Sequence, residues 1–216
     1  MKASFDKKIA VVGLGALFPD AKTIPDYWQN IINKHVSIRP MPADLFESDI
    51  FYRPELFMAR DKQDKSITQI AAFIQDLDFD TVRKYKIPPS VAEQMDPNQH
   101  AALETADQAI SMAALDNVSK DRVAIMLGNG MVGTRYGDAL ARVQFQLVEH
   151  YLRHSTEFGK LSAADQETVV EYVRANALKD SIPITEDSAP GILPNLIAGR
   201  VANVFDFHGP SFTVDA

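Results

Sequence analysis

Short apolar runs alternate with amphipathic stretches along this chain. Ile9–Val12 is apolar and closed by Gly13 and Gly15, the pattern of a buried strand entering a turn. Thr23 to Lys34 predicts a helix, with Pro25 in its first turn and an apolar stripe of Trp28, Ile31 and Ile32. From Val36 to about Ser66, prolines and charges break the pattern into a long loop region with room for short strands. Ile67–Ile74 reads as strand-like, and Phe79–Tyr85 as a short helix ahead of Pro88 and Pro89.

The clearest helix begins at Asp96. Asp is a favoured N-cap, Pro97 suits the first helical position, and Gln99 stands at capping-box spacing. Leu103, Ala106, Ile110 and Ala113 then recur at helical intervals, a face that should lie on the sheet. Arg122–Leu127 follows as a buried strand ending in Gly128-Asn-Gly130. Tyr136, Leu140, Val143, Leu147 and Tyr151 mark an amphipathic helix, and Ser162 caps another running to about Lys179. A helix from Pro190 or Pro194 carries Leu196, Ile197 and Val201 inward. After Gly209-Pro210, Ser211–Asp215 reads as a strand. This alternation predicts an α/β fold whose mainly parallel sheet is covered by helices. Ile9–Val12, Arg122–Leu127 and Ser211–Val214 are expected in one sheet.

Composition narrows the partners. Hydrophobic residues make up 46% of the 216 positions and charged residues 24%, enough for a packed core. The net charge of −7 argues against nucleic acid or an anionic membrane as the main partner. No run approaches the roughly 18 consecutive apolar residues of a membrane span. The polar start, Met1–Lys8, is unlike a signal peptide, so a cytoplasmic protein is expected. There are no cysteines, which removes disulfides, thiolate metal sites and a cysteine nucleophile within these residues.

Few residues suggest chemistry by spacing alone. His150 and His154 are four apart, but no carboxylate at metalloprotease spacing lies between them, and both read as solvated. Asp76, Asp78 and Asp80 alternate with Leu77 and Phe79, the pattern of a solvated face, and lack the glycine and distal glutamate of a calcium loop. Gly128 to Gly133 spells G-x-G-x-x-G after a strand. A dinucleotide fingerprint also needs a second strand ending in an acid, whereas the pattern here stays helical through Tyr151. A tight strand-to-loop turn is the plainer reading, with a dinucleotide-dependent oxidoreductase as its rival.

Three separated segments carry a family resemblance. Ile9-Ala-Val-Val-Gly-Leu-Gly-Ala-Leu-Phe-Pro-Asp-Ala21 is similar to the opening strand of modular ketosynthases, with Tyr27-Trp28 on the helix that follows. Gln94-Met-Asp-Pro-Asn-Gln-His-Ala-Ala-Leu-Glu104 resembles their MDPQQRLLLE segment. Asn195-Leu-Ile-Ala-Gly-Arg200 and Gly209-Pro-Ser-Phe-Thr-Val-Asp-Ala216 resemble the run into their active site. In order and across nearly the whole chain, these resemble the N-terminal part of a β-ketoacyl synthase of polyketide or polyunsaturated fatty acid type.

The resemblance implies a thiolase-like αβαβα layered fold, of which residues 1–216 form most of the first half. It implies a nucleophilic cysteine just after Ala216, at the start of a buried helix whose positive end favours thiolate. Two catalytic histidines are expected in the C-terminal half, so no catalytic residue is expected here, and His208 is read as a loop residue. Asp215 and Ala216 would support the nucleophile turn. Gly128, Asn129, Gly130 and Met131, within the stretch Gly128 to Val132, would line the acyl channel. Ser211, Phe212, Thr213 and Val214 would be the strand that pairs across a homodimer. Implied partners are an acyl carrier protein and the C-terminal half of the same domain. No metal or organic cofactor is implied, because acyl and malonyl groups arrive on carrier phosphopantetheine. A non-catalytic, chain-length-factor-like scaffold is the alternative.

Overall fold

A computed structural model describes residues 8–43, 45–60, 64–74, 80–113, 115–130 and 133–215. The chain divides into two units, one of residues 1–78 with 107–113 and one of 79–106 with 114–216.

In the first unit, α1 (Ile24–Ile32) starts where the sequence places it: Thr23 Oγ1 accepts from the Asp26 N–H at 3.3 Å, and Pro25 lies in the first turn. Strands β1 (Arg39–Pro40) and β2 (Ile70–Ala71) pair antiparallel, Arg39 opposite Ala71. Between them stands the short helix α2 (Ser48–Phe51). Only two residues of the expected 67–74 strand pair, because Ser66 Oγ both donates to Thr68 O and accepts from Thr68 N–H, turning the chain locally. Asp20, in a left-handed turn at φ 56°, is held by His35 at 2.9 Å and Arg39 at 3.1 Å. The His35 and Arg39 hydrogen bonds lower its pKa to about 2.

Ile9–Val12 does not join a sheet. The run makes no ladder, and Ile9 is 94% exposed. Its continuation is tied to a helix instead: Ala16 N–H donates to Gln108 Oε1 at 3.1 Å, and Gln108 Nε2 donates to Lys22 O at 3.0 Å. An apolar run has the side chains of a buried strand but cannot supply its neighbours.

The second unit opens with α3 (Thr81–Tyr85), capped by Asp80, and α4 (Pro89–Gln94). The sequence pattern hides α4, because Pro88-Pro89 reads as a break; Pro89 is instead the first residue of the helix, where no N–H is needed. Helix α5 (Pro97–Ala113) follows Asp96 directly. Strand β3 (Ile125–Gly128) starts later than expected, because Arg122 N–H bonds back to Ser119 O and closes a tight turn. Then come α6 (Thr134–Arg153), α7 (Ala163–Ala177) with Ser162 as its cap, α8 (Ser188–Ile192), α9 (Leu196–Phe205) and β4 (Ser211–Val214).

β3 and β4 pair in parallel, Ile125 opposite Ser211 through Gly128 opposite Val214, with α9 packed on both. The described residues therefore hold two two-stranded sheets, one antiparallel and one parallel. The core of this unit is Ile87, Met95, Leu103 and Val201, with Ala106 of α5 and Ile125 of β3 packed against it. Leu103 is thus core, as the helical spacing implied, whereas Ile110 is only half-buried. Ile197 and Val201 point inward from α9, but Leu196 faces out.

The apolar stripe of α6 is present but does not face the interior: Tyr136, Leu140, Val143, Leu147 and Tyr151 are all exposed. The buried side chain is Phe145, with the Arg174 guanidinium of α7 5.7 Å over its ring. Glu149 of α6 pairs with Arg174 of α7 at 2.7 Å, and Arg153 of α6 with Glu167 of α7 at 2.9 Å. Arg174 and Arg153 together lower the Glu149 pKa.

Candidate functional site

Parallel strands expose their loops at their C-terminal ends, where open α/β sheets place ligands. Here β3 runs out into Gly128–Gly130 and β4 into Asp215 at one end of the pair. Asn129 N–H donates to Val214 O at 2.9 Å, so the chain leaving β3 and the end of β4 are neighbours. Met131, Val132 and Ala216 lie outside the described residues. Of the proposed dimer strand, Ser211, Phe212 and Val214 are exposed, and Thr213 is half-buried.

A shallow cleft opens beside this end of the sheet. Ile192, Leu193, Pro194 and Ile197 form its apolar side, and Asp96, Asn98, Gln99, Asn129 and Gly133 its polar side. The polar side is anchored by buried hydrogen bonds between α8 and the α4–α5 junction. Gln99 Nε2 donates to Gly191 O at 2.7 Å and Pro190 O at 3.0 Å, and Asp96 N–H donates to the same Gly191 O at 3.0 Å. Ser188 Oγ donates to Gln94 Oε1 at 2.5 Å. Close approach requires the glycine at 191: an added Cβ would lie 2.1 Å from Gln94 O. Gln99 therefore binds a second segment rather than closing a capping box on Asp96, a use that its spacing concealed.

His100, on the next turn, is partly buried, and its Nε2 donates to Ala92 O at 3.2 Å. Burial, chiefly, lowers its pKa, so the imidazole is neutral at pH 7.

At the other end of the strand pair, His208 is more than a plain loop residue. Its Nδ1 lies 2.9 Å from Asp121 and its Nε2 2.9 Å from Asp206, which also takes Lys120 Nζ at 2.7 Å. These links clasp the chain leading into β3 to the chain leading into β4. Asp206 first, then Asp121, raise the His208 pKa above its ordinary 6.5. The clasp contributes its stability fully below that value and loses it as pH rises through the raised pKa. NMR titration should give a His208 midpoint above 6.5, moving down in Asp206→Asn and less in Asp121→Asn. A midpoint at or below 6.5 would sink this.

The histidine pair at the C-terminal end of α6 engages itself: the rings are 4.2 Å apart and Nδ1 of His154, the C-cap residue, meets His150 O at 2.7 Å. Asp76 and Asp78 lie outside the described residues, and Asp80 is the α3 cap. After Gly133 the chain forms α6 and then α7, so no strand stands about 20 residues on, where the acid of a ribose-binding site belongs.

Residues 6–216 match the family profile of the β-ketoacyl synthase N-terminal domain. The chain belongs to that family. It is 28% identical over 213 residues to a polyunsaturated fatty acid synthase of Thraustochytrium sp., covering 98% of this chain and 7% of the relative. It is 25% identical over 211 residues to polyketide synthase PksL of Bacillus subtilis, covering 97% and 4%. Among solved structures it is similar to an oxazolomycin ketosynthase domain of Streptomyces albus, with a TM-score of 0.58 at 21% identity over 94% of this chain and 28% of that one. A ketosynthase from module 6 of the bacillaene synthase of Bacillus subtilis matches at a TM-score of 0.56 and 18% identity, over 95% and 26%. This ketosynthase N-terminal domain thus has the thiolase-like fold of the first half, and spans a small part of its relatives' length. Among the described residues no helix is long and apolar enough to cross a membrane.

Proposed function

We propose that this domain serves a β-ketoacyl synthase that joins an enzyme-bound acyl group to a carrier-bound malonyl unit. A cysteine beyond Ala216 would take the acyl group from an acyl carrier protein as a thioester. The malonyl unit would lose carbon dioxide, and its carbanion would attack the acyl carbonyl. A carbon–carbon bond forms, the carbon–sulfur bond breaks, and the cysteine leaves as thiolate. The observation that carries this reading is the joint emergence of Gly128–Gly130 and Val214–Asp215 at one end of a parallel strand pair. There the glycine loop would line the acyl channel while Asp215 and Ala216 hold the nucleophile's turn. The carrier thioester supplies the activated carbon, so the reading needs no metal or organic cofactor. A cytoplasmic, homodimeric parent completes the proposal, with Ser211–Val214 as the pairing strand, since pairing would cover its open edge.

The test supplies the native protein that carries these residues with acyl- and malonyl-loaded carrier protein. Expected are carbon dioxide release and a carrier-bound β-ketoacyl product, from a protein that light scattering sizes as a dimer. A folded dimer yielding no product would favour the scaffold alternative over the enzyme. A monomer across a wide concentration range would remove the role of Ser211–Val214.

A further inference from the structure

We propose that Asp96 is a positioning residue that fixes Gly133 and the start of α6 beside the cleft, and through them sets which acyl chains the site accepts. The second half rests on the acyl-channel reading above; the first stands on geometry alone.

Asp96 is 4% exposed, and its two carboxylate oxygens serve two helices. Oδ1 accepts from the Asn98 N–H at 2.9 Å, in the first turn of α5. Oδ2 accepts from the Arg135 N–H at 3.0 Å, in the first turn of α6. Helix α6 has Gly133 at its N-cap and therefore no capping side chain of its own. A residue far away in sequence provides the cap instead. Both helices present the positive end of their dipole and an otherwise orphaned N–H to the side chain, so each of its oxygens meets a backbone donor.

Gly133 is shaped by this arrangement. Its backbone, φ −82° and ψ −178°, suits any residue. A Cβ there would nevertheless lie 1.9 Å from Asp96 Oδ2, 2.1 Å from Cγ and 2.1 Å from Oδ1. The side chain is excluded by the carboxylate, not by conformation. Gly133, which lines the cleft together with Asn129, is consequently held where Asp96 grips the start of α6.

Asp96→Asn keeps the size but not the function, because both partners are donors and a carboxamide offers only one acceptor oxygen. Displacement of a site wall on the order of 1 Å can change rates by up to about 100-fold.

The test uses the native protein that carries these residues, with Asp96→Asn, Gly133→Ala, Asp96→Ala and the double variant Asp96→Ala with Gly133→Ala. Hydrogen exchange reads the Arg135 amide; loading from short- and long-chain acyl-carrier proteins gives the ratio of kcat/KM. Expected are lost Arg135 protection in Asp96→Ala and a ratio altered about tenfold or more in Asp96→Asn and Gly133→Ala. Gly133→Ala should add nothing once Asp96 is Ala, and where the single variant does not fold, the double should. Unchanged Arg135 protection, or additive effects in the double variant, overturns the positioning role. Equal loss for all chain lengths overturns the selectivity role and leaves a structural one. Should the unsubstituted protein load no acyl group, the ketosynthase reading and the selectivity role fall together, while the exchange result still decides the grip of Asp96.

Discussion

Replacing Leu103 by Ala should destabilise this domain by about 2–5 kcal/mol. Leu103 is fully buried in the cluster of Ile87, Met95 and Val201, midway along α5. Truncation removes apolar contacts from α3–α4, α5 and α9 at once, and the backbone of a long helix cannot collapse into the space. Denaturant unfolding should show a lower midpoint with an unchanged slope. Leu103→Met, which keeps the volume, should cost less than about 1.5 kcal/mol. A loss under about 1 kcal/mol on truncation would mean the site is less tightly packed than the structure shows.

When the native protein is loaded with a labelled acyl group, none of the label should map to residues 1–216, and the isolated chain should take none. Thioester formation needs a thiolate, and the sequence contains no cysteine. A serine nucleophile needs a base within hydrogen-bond reach. His208 is taken up by Asp121 and Asp206, His35 by Asp20, His100 by Ala92 O and His154 by the backbone carbonyl of His150, while the His150 ring lies against Tyr151 and His154. Mass spectrometry of digested, labelled protein reads the outcome. A labelled peptide from within these residues would show that the nucleophile has been wrongly placed.

Elements with local physical causes were legible. Thr23, Ser162 and Asp96 stand at helix starts because a short acceptor beside free N–H groups acts through nearest neighbours alone. Leu103 could be assigned to the core because spacing along a helix fixes which side chains share a face. The family resemblance was legible for a different reason: several motifs kept their order across the chain, and the match over residues 6–216 agrees with it.

Residue order alone carries the family, the principal helices, the β3 and β4 region and the absence of a cysteine nucleophile. Folding settled the rest. Ile9–Val12 has a strand's composition and no strand's partner, since a ladder requires a neighbour that apolarity cannot specify. The α6 stripe has the right period for a buried face, yet period says only which residues lie together, not what covers them. Asp96 has the sequence signature of a cap for one helix and caps two, because its second acceptor meets Arg135, a residue brought near only by folding. Gln99 and His208 found their partners the same way, across contacts of long sequence separation. A side chain's chemistry is written at its own position, but a hydrogen bond needs two groups about 3 Å apart, and only the folded chain sets that distance.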